Sequence, residues 1–384
     1  MDMQIGARSQ AGNAQGSLYR REFEKLLAGV GVEIDGPNPW DIQVHHSGFY
    51  QRVLAHGSVG LGESYMEGWW DSEDLDGMVY RLLMARLDDH PTWDLKLAAL
   101  RARLFNQQSR SRAFEVGRRH YDLDTELYRR MLGRRLVYSC GYWAEARDLD
   151  AAQEAKLELV FRKLGLEPGM RVLDIGCGWG EALRLAAERY GITGVGVTVS
   201  QEQAVYARAL CRGLPLEFRL MDYRELDERF DRVFSIGMFE HVGYKNYRTY
   251  MEVARRCLAD DGLFLLHSIG SNLSVHDTDP WIAKYIFPNG MLPSIRQIGE
   301  ATEGLFVMED WHNFGVHYDR TLLAWRENFL RSWGILQDRF DESFRRMWLF
   351  YLSSCAASFR ARKNQLWQVV LSPHGVAGGY VAPR

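Results

Sequence analysis

Residues 172–180, VLDIGCGWG, constrain the fold more than any other stretch of the chain. An apolar run suited to a buried strand ends at Asp174, and glycines follow at 176, 178 and 180. Glycine is needed where a backbone turns sharply or must approach a ligand closely. The next segment, EALRLAAERYG, has helical spacing. The unit is therefore strand, glycine loop and helix, with the helix amides aimed at whatever the loop holds. The pattern continues downstream with TGVGVTVS as a strand, QEQAVYARALCRGL as a helix, and LEFRLMDYREL and FDRVFSIGMFEHVG as strands. YKNYRTYMEVARRCLADDG is then a helix and LFLLHSIG a fifth strand, while AAQEAKLELVFRKLGL precedes the series as an amphipathic helix ending near Gly165. This alternation predicts an α/β fold with a doubly wound parallel sheet.

The ligand is narrowed by what the loop lacks. Where a dinucleotide fingerprint has its third glycine the chain has Glu181, which fits poorly with a pyrophosphate at the helix N-terminus. S-adenosylmethionine (SAM) carries no phosphate, and Asp174 would hold its methionine ammonium directly or through water. The end of the second strand has no acid for the ribose. Thr198, Ser200 and Gln203 stand there instead and offer neutral hydrogen bonds. Asp222 and Tyr223 fall where adenine should lie. Singly, each reads equally well as a solvated loop side chain, and the weight lies in the set Asp174, Gly176, Gly178, Gly180, Thr198, Ser200, Gln203, Asp222 and Tyr223.

At 384 residues two domains are expected. We divide the chain into a flexible stretch at 1–16, a small, mainly helical N-terminal domain at 17–110, and a catalytic domain at 111–384. Residues 271–300 break the alternation and are predicted to form an inserted lid; the tail from Asp319 reads as mostly helical. A net charge of −3 gives no reason to invoke nucleic acid. The five cysteines form no CxxC pair, so neither a metal site nor a disulfide framework is expected, and a reduced, cytoplasmic protein is. The first 20 residues hold no signal-like apolar block, and no stretch approaches a spanning helix. Membrane contact would be peripheral. Ten arginines and four acids between 101 and 135 give that window a local charge of 10 − 4 = +6, a surface for anionic headgroups or simply a solvated face.

Further polar residues stand in apolar surroundings: Cys140 in VYSCGYW, Glu240 and His241 in SIGMFEHVG, His267 in LFLLHSIG and Tyr318 in FGVHYDRTL. Strand C-termini are where open α/β sheets hold ligands, so Glu240 and His267 are expected to meet above the sheet beside the sulfonium. Taken alone, a cysteine reads as core and a strand-end histidine as a satisfied structural group.

Together with GLGESYMEGWW, ARLFNQQSR, HYDLDTELYRRML, DPWIAKYIFPNGMLPS, MEDWHNFGVHYDRTLLAW and FRARKNQLWQVV, these segments resemble the bacterial cyclopropane-fatty-acyl-phospholipid synthases from about residue 19 to the C-terminus. The resemblance implies a class I SAM-methyltransferase fold. It also implies methyl transfer to a cis double bond of a phospholipid acyl chain, through a carbocation deprotonated by a bound bicarbonate ion. The ion's contacts would be Cys140, Glu240, His267, Tyr318 and the backbone of Ile269. Tyr142, Trp143, Phe239, Tyr285, Phe287 and Tyr318 are candidates to stabilise the cation. Glu240 beside an anion is expected to hold or share a proton, and Glu181 would crowd the methionine end of SAM. The family further implies a homodimer working transiently at the inner face of the membrane. Other readings stay open. One is a methyl- or methylene-branching lipid methyltransferase; another is a catalytically silent lipid-binding protein; a dinucleotide oxidoreductase is disfavoured by Glu181.

Overall fold

The computed structural model describes residues 18–87 and 125–384. At its centre lies the strand predicted first, β3 (Arg171–Ile175), with β4 (Thr193–Thr198) and β5 (Leu216–Leu220) on one side. On the other side follow β6 (Phe230–Ile236), β7 (Leu258–Ser271), β9 (Asn364–Ser372) and β8 (Val307–Asn313). The order is β5-β4-β3-β6-β7-β9-β8. The first five strands pair in parallel; β9 runs antiparallel to both β7 and β8. This is the expected α/β sheet with two further strands on one edge.

Those two strands are absent from the sequence reading. NQLWQVVLS directly follows a long helix and was absorbed into a helical tail. In VMEDWHN, charge masks the strand: Asp310 is 8% exposed and held by Lys163 (2.9 Å) and Arg384 (2.6 Å). The helix Leu149–Leu164 begins and ends on local signals. Asp148 accepts from the Ala151 amide at 2.8 Å, and Gly165 closes it at φ 56°. It is less amphipathic than expected, since Lys156 and Lys163 are both fully buried.

The N-terminal helices Phe49–Met66 and Leu75–Met84 flank the short ribbon of β1 (Gln43–Val44) and β2 (Trp70–Asp71). They pack on the C-terminal helix Glu342–Arg360, and Trp70, Phe350, Trp348 and Trp325 share one apolar cluster. Asp76 is ion-paired with Arg326 and Arg360, and Arg360 also with Asp319. The described N-terminal residues therefore share a core with the C-terminal helices. The boundary placed at 110 and the stretch 1–16 lie outside the described residues.

The insertion is packed down. Its helix Pro280–Tyr285 is started by Asp279, which accepts from the Trp281 and Ile282 amides. Trp281 lies against Gly62, where an added Cβ would fall 2.3 Å from the indole nitrogen. Beside it Glu63 accepts from Lys284 (2.5 Å), Tyr285 (2.8 Å) and Arg52 (2.8 Å). Burial opposes the Glu63 charge, but these three donors outweigh it and hold the carboxyl at about 2. The segment then returns to the sheet, where the Met291 amide donates to the Glu240 carbonyl at 2.8 Å. No described helix is long and apolar enough to cross a membrane.

Candidate functional site

The glycine loop leaves β3 with Gly176, Gly178 and Gly180 all at positive φ (95°, 52° and 87°), a path that side chains rarely permit. It opens one wall of a cavity lined by Asp174, Gly176, Gly178, Thr198, Gln203, Asp222 and Tyr223. Seven of the residues proposed from sequence thus face one space. Two do not line it. Gly180 begins the helix Glu181–Tyr190, and a Cβ there would meet Ala207 at 2.9 Å, so close packing joins its φ as a reason to be glycine. Ser200 caps the helix Gln201–Leu210 by accepting from the Gln203 amide at 3.3 Å. Both shape the site from behind.

Asp174 is 2% exposed, and its Oδ1 has no hydrogen-bond partner among the described residues. Burial pushes its carboxyl well above the ordinary range, opposed by the Lys156 charge. Thr198 donates to Gln203 Oε1 at 2.8 Å, and Arg224 grips Asp222 at 2.6 and 2.8 Å. Glu181 reaches the cavity wall, yet its carboxylate is turned to Arg184 (3.0 Å) and Arg135 (3.6 Å). The feared crowding is met by two guanidiniums, one of them from a segment that carried no cofactor signal.

Beyond Ser139 and His241, which line the cavity, lies the second set. Glu240 sits in a short turn after β6, and its Oε1 accepts from the Ile269 amide at 2.7 Å. Its Oε2 is buried without a partner among the described residues, and burial pushes the carboxyl up to about 7. His267, on β7, is 1% exposed; burial holds it neutral, well below its usual value. Gln368 of β9 places its amide nitrogen 3.3 Å from His267 Nδ1. With the carboxamide nitrogen turned to the ring, as placed here, Nδ1 accepts and the ring proton sits on Nε2; the Gln368 Oε1 is then left without a partner among the described residues. That Nε2 is also buried without a partner among the described residues. Cys140 is fully buried, and burial raises its thiol far above ordinary, so it stays protonated. Its Sγ lies 3.9 Å from Thr321 Oγ1. Tyr318, 7% exposed, is kept a phenol, first by burial and then by nearby Cys140 and Glu240.

The aromatic candidates do not make one cage. Phe287 joins Tyr138, Trp325, Tyr351 and Tyr318 in a continuous group that starts at the cavity. Phe239 instead stacks on Tyr247 at 4.3 Å, in the core on another side. Tyr285 is occupied at Glu63, and Tyr142 packs on Phe314, His312 and His317. Trp143 donates its indole N–H to Thr321 at 2.8 Å. The positive window is likewise spent where it is described. Arg130 pairs with Glu126, Arg134 and Arg135 with Glu154, and Arg129 lies over Tyr206. The other six arginines lie outside the described residues. Sequence reasoning overlooked Gln368, Thr321, Arg135 and Lys156; a lysine in a helix otherwise apolar on that face was the one available signal.

A family model for mycolic acid cyclopropane synthetase matches residues 108–369. The cyclopropane-fatty-acyl-phospholipid synthase of Escherichia coli K12 is 52% identical over 95% of this chain and 96% of its own. The chain belongs to the mycolic acid cyclopropane synthetase family. A second relative, the tuberculostearic acid methyltransferase UfaA1 of Mycobacterium tuberculosis, is 32% identical over 85% of this chain and 81% of its own. Among solved structures, the cyclopropane synthase MmaA2 of M. tuberculosis superposes with a TM-score of 0.64 at 32% identity, covering 67% of this chain and 97% of that one. The mycolic acid cyclopropane synthase CmaA1, complexed with SAH and CTAB, gives 0.63 at 32% identity over 67% and 97%. The fold is that of the class I SAM methyltransferases.

Proposed function

We propose that this chain transfers the methyl group of SAM to a cis double bond of a phospholipid acyl chain and closes it to a cyclopropane. The observation that carries the reading is that Glu240 Oε2 and His267 Nε2 are both buried without a partner among the described residues, Glu240 in the turn that follows β6 and His267 on β7 opposite Ile236, the last residue of β6. Buried polar atoms cost free energy unless paired, so this pair fits a small polar ion. The unpartnered Asp174 Oδ1 in a glycine-lined cavity fits the methionine ammonium of SAM in the same way. When bound, SAM supplies an electrophilic methyl group and bicarbonate a base.

This chain's residues would do the rest. Asp174, Gly176 and Gly178 hold the cofactor, with Thr198, Gln203, Asp222 and Tyr223 along the cavity; Gly180 and Ser200 set the backbone behind it. A protonated Glu240 and the Nε2–H of His267 donate to the anion, the Ile269 amide orients Glu240, and Cys140 and Tyr318 complete the wall as neutral groups. Neutral donors suit the task because they hold an anion without neutralising its basicity. The aromatic group of Tyr138, Phe287, Tyr318, Trp325 and Tyr351 would face the developing cation and exclude water, which would trap it as an alcohol. Lipid association through the N-terminal region, peripheral contact with the inner leaflet, and a homodimeric state rest on the family resemblance.

The test is incubation of the purified chain with SAM and cis-unsaturated phospholipid vesicles, followed by proton NMR of the extracted lipid. Ring-methylene signals replacing vinyl signals are expected. S-adenosylhomocysteine (SAH) formation with no ring signal would favour a second reading, methyl or methylene branching of the acyl chain, which the 32% identity to a tuberculostearic acid methyltransferase motivates.

A further inference from the structure

Lys156 is fully buried in the helix Leu149–Leu164 and has no part in the chemistry above. Its Nζ donates to Ser139 Oγ at 2.9 Å, and among the described residues no carboxylate lies within ion-pair distance of it. Lys156 and Ser139 both line the cofactor cavity, as does Asp174. The same helix fastens the segment carrying Ser139: Gln153 donates to the Ser139 carbonyl at 2.7 Å, and the Tyr142 amide donates to the Ala152 carbonyl at 2.8 Å. The only other lysine or arginine among the described lining residues is Arg224, which is bound to Asp222.

A buried ammonium with one hydroxyl partner is left with donors to spare and a charge to balance. The amino-acid end of SAM carries two charges, and Asp174 suits only the ammonium. The carboxylate, taken into the same desolvated space, needs a cation or strong donors. We propose that Lys156, with Ser139, binds the carboxylate of the cofactor's amino-acid end while Asp174 takes its ammonium. The inference rests on the SAM reading and names the part of SAM that this lysine recognises. Burial lowers the lysine to about 7, with Cys140 and Asp174 opposing the shift. An arriving carboxylate would restore its charge, since an opposite charge favours the ionised form.

The experiment is calorimetric binding to the full-length parent and to Lys156→Met, with three probes. These are SAH, its 3-aminopropyl analogue lacking only the carboxylate, and 5′-methylthioadenosine, which lacks the whole amino-acid end. The parent should prefer SAH to the aminopropyl analogue. The variant should bind SAH about tenfold more weakly, the worth of one charge-assisted contact, and bind the other two as the parent does. Lys156→Gln repeats the test if the methionine variant does not fold. Equal weakening of SAH and the aminopropyl analogue, or no weakening of SAH, would overturn the proposal. A folded parent that binds none of the three would overturn the cofactor reading itself, and this inference with it.

Discussion

On the β3–β4–β5 side of the sheet, the cofactor cavity draws Asp174, Gly176, Gly178, Thr198, Gln203, Asp222 and Tyr223 from one short run of chain. On the β6–β7–β9 side, the second set comes from Cys140, Glu240, His267, Ile269, Tyr318 and Gln368, which are scattered through the sequence. The first region is built largely by where the backbone goes. The second is built by side chains whose neighbours exist only after folding. A site of the first kind depends on its loop path; one of the second kind depends on unpaired polar atoms kept dry. The two should therefore fail differently when mutated.

The largest separation is expected from Glu240→Gln and His267→Ala. Each should lower turnover about 10²- to 10⁴-fold, the range for losing a positioned proton acceptor, here the anion that the two groups hold, while SAH affinity stays close to the parent value. Stopped-assay kinetics and calorimetry together check this, and a parallel loss of SAH binding would merge the two regions into one. Next is a stability effect. Burial pushes the Glu240 carboxyl up to about 7 in the folded protein, from 4.5 for a free carboxyl. A raised carboxyl leaves stability intact at low pH and erodes it as the unfolded chain ionises first. The loss grows between about pH 4.5 and 7 and then levels, reaching roughly 3 kcal/mol. Glu240→Gln should lack that erosion, so urea melts of the two proteins should diverge as pH rises across this window; a gap that does not change with pH would mean the carboxyl is not desolvated.

Asp174→Asn belongs to the other region. It should weaken SAH by about 10- to 100-fold, the worth of a hydrogen bond to a charged group, with turnover at saturating SAM much less changed. The reverse split would place Asp174 in the chemistry. The smallest effect is expected at Glu63→Gln, where the partners Lys284 and Arg52 keep contact with water. A loss of about 1 kcal/mol of stability, with SAH binding unchanged, would show the insertion's anchor to be separate from the cofactor cavity. A drop in SAH affinity would show the two to be linked.

The same contrast explains what could be read in advance. Alternating strands and helices, the glycine loop and the cavity residues were legible because each signal is local. The pairing of Glu240 with the Ile269 amide, and Gln368 setting the His267 tautomer, were not, since β9 went unseen and only that strand supplies Gln368. Buried Lys156 and Lys163 were not singled out within their amphipathic helix, because a lysine carries no mark of its partner. Gly180 and Ser200 stand apart from the other motif residues: they do not line the cavity, and the structure shows a close packing at one and a helix cap at the other.

The bare contact between Gly62 and Trp281 carries a consequence for modular exchange. Helix and insertion meet with no side chain between them, so neither can be altered in bulk without the other yielding. The insertion in turn reaches Glu240 through Met291. The solved cyclopropane synthases MmaA2 and CmaA1 each align with 67% of this chain. A graft of this insertion onto any scaffold without a counterpart of residues 49–66 would therefore arrive without its docking helix.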